Sequence, residues 1–229
     1  MSENKNIQVE TVADDSAKVL ERAKGFWAKF SKPVIYVGGA LILVLGGYLG
    51  YKKLYAEPQE LKAADAIWHA QQYFQQDSLK LALNGDGQFQ GFEKVASNYG
   101  STKAGNLAKF YAGVCALRLG DFKKAEGYLK DFSTDSKEVQ TIAYARLADT
   151  YAELGKKEEA VKMYAKAGQN YPEQEALSAE NLFRAGLLSE ILGKNDEAIK
   201  YYKEIKAKYP RTDRGYQIDK YLARLGSID

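Results

Sequence analysis

Catalysis by side chains starts with histidine, cysteine and carboxylate sets, and here those are few. His69 and Cys115 are the single histidine and the single cysteine of the 229 residues. A nucleophile needs a base within hydrogen-bond reach, and zinc needs three or four nitrogen or sulfur ligands at short spacing. His69 has no cysteine or serine partner set at a recognisable spacing, and no His/Cys cluster is present to bind zinc. His69 lies among Ile67, Trp68 and Tyr73, the setting of a packed helical residue. Cys115 alone cannot close an internal disulfide, which fits a cytosolic chain or an exported one without such bridges. The glycine-rich stretch "NGDGQFQG" (84–91) invites a phosphate or calcium reading. It lacks the Lys-Ser/Thr of a phosphate loop and the spaced carboxylates of a calcium loop, so it is expected to be a connection. No catalytic residue, metal site or cofactor is expected, and the chain reads as a non-enzyme.

Binding is then the chemistry to look for, and charge narrows it. Eight of the 33 Lys and Arg and five of the 30 Asp and Glu precede Glu57, which leaves 25 of each in the rest. The formal charge of +3 therefore belongs to the N-terminal segment. A neutral remainder without a concentrated basic stripe excludes a nucleic-acid face.

The stretch "KPVIYVGGALILVLGGYLGYKK" (32–53) has no charged residue between Lys32 and Lys52. As a helix the run spans roughly 28 Å, close to the hydrocarbon thickness of a bilayer. Tyr36, Tyr48 and Tyr51 suit the headgroup zone. A buried core helix is the alternative, but five glycines and no polar face argue for a membrane span. About thirty residues precede the run and no small-residue cleavage site follows it, so it reads as an uncleaved signal anchor and not as a signal peptide. Lys18, Arg22, Lys24, Lys29 and Lys32 before the span outnumber Lys52, Lys53 and Lys62 after it. The positive-inside rule puts the N-terminus in the cytoplasm and the large C-terminal part across the inner membrane, in the periplasm. Residues 1–12 are polar and aperiodic and are expected to be disordered. From Asp15, Val19, Ala23, Phe26, Trp27 and Phe30 recur at helical spacing among basic residues, predicting an amphipathic helix on the bilayer surface with Phe26, Trp27 and Phe30 inserted; docking of a cytoplasmic partner is the alternative. Gly39, Gly46 and Gly50 share one helical face and permit close approach of another membrane helix, or face lipid. The organisation expected is a tail (1–32), a transmembrane anchor (33–51), a linker (52–57) and a helical domain (58–229).

Three segments of that domain repeat: "YAGVCALRLGDFKKAEGYLKDF" (111–132), "ARLADTYAELGKKEEAVKMYAKAGQNYP" (145–172) and "RAGLLSEILGKNDEAIKYYKEIKAKYP" (184–210). In each, Leu-Gly ends one amphipathic helix and an alanine follows the glycine by five residues: Gly120 and Ala125, Gly155 and Ala160, Gly193 and Ala198. Glycine supplies the turn and alanine lets two helices approach, so each segment predicts a helical hairpin. The spacing resembles that of tetratricopeptide repeats. The middle copy matches with Leu147, Ala148, Tyr151, Ala160, Tyr164, Ala167 and Pro172. The last matches with Ala185, Gly186, Ala198, Tyr202 and Pro210. The first is looser, with Lys109 at an apolar position and no closing proline. "FEKVASNYGSTKAG" (92–105) parallels "YKEIKAKYPRTDRG" (202–215), which predicts a degenerate repeat over 58–99. "YQIDKYLARL" after Pro210 reads as the capping helix that a solenoid needs. The fold class expected is all-α.

The resemblance implies a groove lined by the first helices of the hairpins: Leu107, Phe110, Val114 and Leu117, then Ile142, Ala145 and Asp149, then Phe183, Leu187 and Ile191. Such a groove is mostly apolar. It is open to a partner or filled by the chain itself, with residues 58–82 as the filler. A carboxylate-clamp repeat would carry Lys and Asn at these positions and is disfavoured. As an architecture, the chain is similar to the single-pass ancillary subunit of the bacterial Sec translocon. That resemblance implies as partners the Sec channel subunits, a membrane-anchored periplasmic chaperone of the prolyl-isomerase class, newly exported polypeptides and the lipid bilayer. A periplasmic scaffold for envelope or secretion-complex assembly, and a cytosol-facing receptor of inverted topology, are the alternatives.

Overall fold

The computed structural model describes residues 3–227, and side chains from Ala17 onward except those of Pro33 and Val34. The regular structure among the described residues is helical, apart from one isolated bridge between Gly85 and Gln90. They fall into two compact units, Met1–Pro58 and Gln59–Asp229.

In the first unit a single helix, α1 (Glu3–Tyr51), joins the basic tail to the apolar run without interruption. The aperiodic residues from Glu3 onward, expected to be disordered, are thus helical; Met1 and Ser2 lie outside the described residues. Lys52–Ala56, expected as a linker, forms a π-helical turn that continues directly into α2 (Glu57–Gln75). The continuous helical stretch Ile35–Gln75, which holds most of the apolar run, is long and apolar enough to cross a membrane, and none of its apolar window is buried. Phe26, Trp27 and Phe30 are exposed on α1, with Phe26 and Phe30 in ring contact at 4.7 Å. A Cβ added at Gly39, Gly46 or Gly50 meets nothing within 4 Å.

In the second unit α2 ends where Asp77 takes a left-handed φ of 59°. The short α3 (Leu79–Asn84), the loop 85–91 and α4 (Phe92–Tyr99) follow. The degenerate repeat therefore opens on the long α2, and the short α3 stands between it and α4. Its core is Ile67, Ala70, Ala82, Leu83, Phe92, Val95 and Ala96, closed by Ala108, Ala112 and Cys115 of α5 (Lys103–Arg118). Glu60 pins α2 to α5: its carboxylate accepts from the Lys103 and Ala104 amides at 2.8 and 2.9 Å, two donors a helix N-terminus otherwise leaves unpaired.

Three hairpins follow: α5 with α6 (Phe122–Asp131), α7 (Lys137–Glu153) with α8 (Lys157–Asn170), and α9 (Glu175–Ile191) with α10 (Asn195–Lys208). The final helix is α11 (Asp213–Arg224). Gly120, Gly155 and Gly193 turn the hairpins at φ of +83°, +74° and +72°, a region that costs a side-chain-bearing residue but not glycine. The amide of the next residue reaches back to the carbonyl of Ala116, Tyr151 or Ser189 respectively. Gly226 repeats this geometry after α11, with φ +74° and the Ser227 amide on the Leu222 carbonyl. The capping helix thus ends like the first helix of a hairpin, a likeness visible in the recurring Leu-Gly of 225–226. The parallel between 92–105 and 202–215 is also structural. Thr102 and Thr212 each donate to a tyrosine carbonyl (Tyr99, Tyr209) and accept from a glycine amide (Gly105, Gly215). A Cβ on either glycine would collide with that same tyrosine carbonyl.

The largest core cluster joins Ala148, Ala160, Tyr164, Leu182, Phe183, Ala198, Tyr202 and Ile205 to Ile218 and Leu222 of α11. Ala160 is fully buried there beside Ala148 and Tyr151, as the hairpin register requires. A smaller cluster of Ala116, Ala125, Leu129 and Leu147 links the first hairpin to the second.

Candidate functional site

The hairpin glycines give a common ruler for the first helices. Thirteen, nine, six and two residues before them stand Leu107, Tyr111, Val114 and Arg118 on α5, then Ile142, Arg146, Asp149 and Glu153 on α7, then Glu180, Arg184, Leu187 and Ile191 on α9. Steps of four, three and four keep each set on one helical face. That face is shared between helices, because side chains from it meet across hairpins.

The meeting is a row of ion pairs. Arg146 Nη1 donates to Asp149 Oδ2 at 2.7 Å, and Asp149 Oδ1 accepts from Arg184 Nη1 at 3.3 Å. Arg184 Nε donates to Glu180 Oε1 at 2.8 Å, and Glu180 Oε2 accepts from Arg214 Nε at 2.6 Å. The row therefore runs from α7 over α9 to α11. Tyr164 of α8 supports it from below, its hydroxyl donating to Asp149 Oδ1 at 2.5 Å while the Arg184 guanidinium lies 5.9 Å over its ring. Burial, then the bond to the Asp149 carboxylate, pushes the Tyr164 phenol well above its ordinary value. Burial alone would raise the Glu180 carboxyl, but the bonds from Arg214 and Arg184 outweigh it and hold that carboxyl below the usual carboxylate range. A second pair stands beside the row, Arg224 Nη2 donating to both oxygens of Glu190 at 2.7 Å. Glu190 also accepts from the Tyr202 hydroxyl.

This face differs from the apolar groove expected of it. Leu187 and Ile191 are exposed, at 37% and 62%, on the same side of α9 as Arg184. Asp149 is half-buried and fully engaged in the row. Ile142 and Val114 are half-buried, and Leu107 packs into the α2–α5 core. Leu117 lines a recess of about 490 Å³ with Phe122, Arg146, Asp149, Ala152 and Tyr164. Phe110 and Phe183 do not line the face. They sit ten residues before their glycines, one step round the helix, and turn toward the following element. Phe110 meets Phe132 at 5.4 Å. Phe183 is buried, edge-on to Tyr221 of α11 at 4.8 Å, with the Arg214 guanidinium 4.0 Å over its ring. The filler expected from 58–82 stops at the first hairpin: Phe74 meets Tyr111 edge-on at 5.2 Å, and α2 shares its core with α3, α4 and α5.

The glycine-rich loop is the connection between α3 and α4. Asp86 ties it by accepting from the Gln88 and Phe89 amides at 2.9 and 2.7 Å and from the Tyr73 hydroxyl at 2.7 Å. Phe89 stacks on His69 at 3.6 Å between centroids. Among the described residues no group of three His, Cys, Asp or Glu is placed to hold a metal. Cys115 is buried, and burial pushes its thiol up to about 12, the state of an inert packing residue.

Sequence reasoning missed Arg146, Arg184, Glu180 and Arg214. The signal was partial: Arg146 and Arg184 recur nine residues before their glycines, while Asp149 and Glu180 stand at different steps of the ruler and only the stacking of the repeats brings them beside those arginines.

Stacked helical hairpins turned by left-handed glycines, presenting one face of their first helices, define a helical-repeat interaction protein. The family profile for the tetratricopeptide repeat-like domain matches residues 24–221, and the chain belongs to that family. No curated protein matches the sequence.

Proposed function

We propose that the chain is a non-catalytic, membrane-anchored adaptor that engages partner polypeptides on the α7–α9–α11 face. Support comes from one observation above the rest. Leu187 and Ile191 stand exposed next to an ordered row of guanidinium groups, whereas the corresponding face of α5 is half-buried or paired. Aliphatic side chains framed by fixed hydrogen-bond donors are the composition of a recognition surface. The apolar run Pro33–Tyr51 acts as a signal anchor, with the tail in the cytoplasm, Phe26, Trp27 and Phe30 in the inner headgroup layer, and the repeat domain in the periplasm. The overall arrangement resembles the ancillary subunit of the Sec translocon. On that reading the partners are the channel subunits, a membrane-anchored chaperone of the prolyl-isomerase class and newly exported chains.

Two measurements test this. A phosphatase fused after Asp229 should be active, and a cytosolic fluorescent fusion at the same point should be dark; the reverse pair of results refutes the topology. Purification in mild detergent should retain Sec channel subunits or an isomerase-class chaperone, and Gly46→Leu with Gly50→Leu should weaken that retention. Recovery of neither partner from the unaltered chain removes the translocon assignment.

A further inference from the structure

We propose that the α7–α9–α11 face selects polypeptide segments in which carboxylate side chains stand beside a large aliphatic or aromatic side chain; this rests on the adaptor reading above. The argument is the depth at which each charge lies. Asp149, Glu180 and Glu190 side chains are 18%, 31% and 14% exposed, whereas their partners Arg146, Arg184, Arg214 and Arg224 are 43%, 41%, 32% and 49% exposed. At Arg146, Arg184 and Arg224 the arginine side chain is the more exposed partner, while Arg214 and Glu180 are equally exposed, so a partner meets these three arginines before the carboxylates they pair with.

Donor use points the same way. Both oxygens of Asp149 and of Glu180 are taken within the row. Each terminal arginine spends a single N–H on it, Arg146 through Nη1 and Arg214 through Nε. A guanidinium has five N–H donors in a rigid fork, so both ends of the row keep terminal donors already oriented by the carboxylate behind them. Orientation in advance lowers the entropy cost of capturing an incoming carboxylate. Each terminal arginine also borders a recess. Arg146 shares the one of about 490 Å³ with Leu117, Phe122 and Ala152, and Arg214 shares one of about 300 Å³ with Ala176, Thr212 and Gln217. The first accepts a large apolar side chain, and Leu187 with Ile191 offers a second apolar contact. Glu153 at the first recess and Asp213 at the second carry the opposing sign. They are exposed, and they exclude a uniformly acidic ligand in favour of carboxylates placed at the arginines.

The pairing of arginine ends with apolar ground favours a polypeptide over a free anion or a lipid headgroup. The test uses four fluorescent 12-residue peptides, acetylated and amidated, with the full chain in detergent micelles. One alternates Glu with Leu; the others replace Glu by Gln, Glu by Lys, or Leu by Ser. Anisotropy should show the Glu-Leu peptide binding at least tenfold more tightly than the other three, and more weakly as salt rises from 50 to 300 mM. Arg146→Gln and Ile191→Ser should each lower that affinity about tenfold; Ile191 is exposed, so its variant folds and keeps the test decisive. Equal binding of the Gln or Lys peptide overturns the proposal. So does displacement of the Glu-Leu peptide by millimolar inorganic phosphate or by phosphatidylglycerol vesicles. A photo-crosslinker at position 191 in cells separates the two readings. Polypeptide adducts without acidic preference in vitro keep the adaptor and sink the selectivity, and absence of adducts sinks the adaptor.

Discussion

Phe110 and Phe183 occupy the same place in their repeats, ten residues before a turn glycine, yet they sit in different surroundings. Phe183 is buried between Tyr202, Tyr221 and the Arg214 guanidinium, in the cluster that unites α7 through α11. Phe110 is half-buried, against Phe132 in the loop after α6 and Tyr111 on its own helix. The difference lies in what comes next along the chain. After α10, four residues closed by the Thr212 cap lead to α11, whose Tyr221 covers Phe183, while after the shorter α6 five residues, 132–136, lead to α7, and it is Phe132 of that segment that meets Phe110. A repeat position is therefore a direction; the following element decides whether that direction is core.

The comparison can be broken at several points. Phe183→Ala should cost the most, about 3–5 kcal/mol for a buried aromatic, and Phe110→Ala no more than about half of that. Chemical denaturation of the full chain in micelles measures both, and equal losses would erase the distinction. Ala160→Trp overpacks the α7–α8 contact and should destabilise by about 1–3 kcal/mol; a melting temperature within a degree of the unaltered chain would show the hairpin register to be wrong.

Glu180→Gln sharpens the comparison through pH. The Glu180 carboxyl is held below its ordinary value in the folded state, so its contribution is present above about pH 4.5 and is lost as pH falls through the lower folded value. Discounted for partial exposure, the loss in the variant should be about 0.5–1 kcal/mol at pH 7. It should vanish in strong acid, where both forms carry a neutral side chain. A loss independent of pH would mean that packing, not charge, holds α9 to α11. Smallest of all, Ile191→Ser should change stability by less than about 0.5 kcal/mol, because the side chain is exposed; a larger loss would place Ile191 in a contact the fold does not show.

Much of the fold was legible because helical hairpins write themselves locally. Leu-Gly at 119–120, 154–155 and 192–193 and the alanine five residues beyond each glycine are short-range signals, and the turns fall there. The degenerate repeat was less legible: the break at Asp77 depends on a left-handed residue whose carboxylate is held by Arg118 at 2.6 Å, 41 residues away. The face was misread as apolar for a related reason. Arg146 and Asp149 are neighbours on one helix, but Asp149 with Arg184 and Glu180 with Arg214 are 35 and 34 residues apart, and only the offset between repeats brings them together. Phe183 was drawn onto the face by its type, although its position one step round the helix already pointed it at the next element.

The row of ion pairs also has a mechanical meaning. A stack of hairpins behaves as a spring, and Asp149–Arg184 and Glu180–Arg214 are rungs fastened along one edge of its coils. Pulling α7, α9 and α11 apart on that edge has to break a rung at each step. Between α5 and α7 no such rung exists among the described residues; the first and second hairpins are tied by Lys156 Nζ on Glu126 at 2.7 Å, over sparser packing. Under load the joint between the first and second hairpins, with one ion pair and less packing, should yield before the segment from α7 to α11, which is braced at each step.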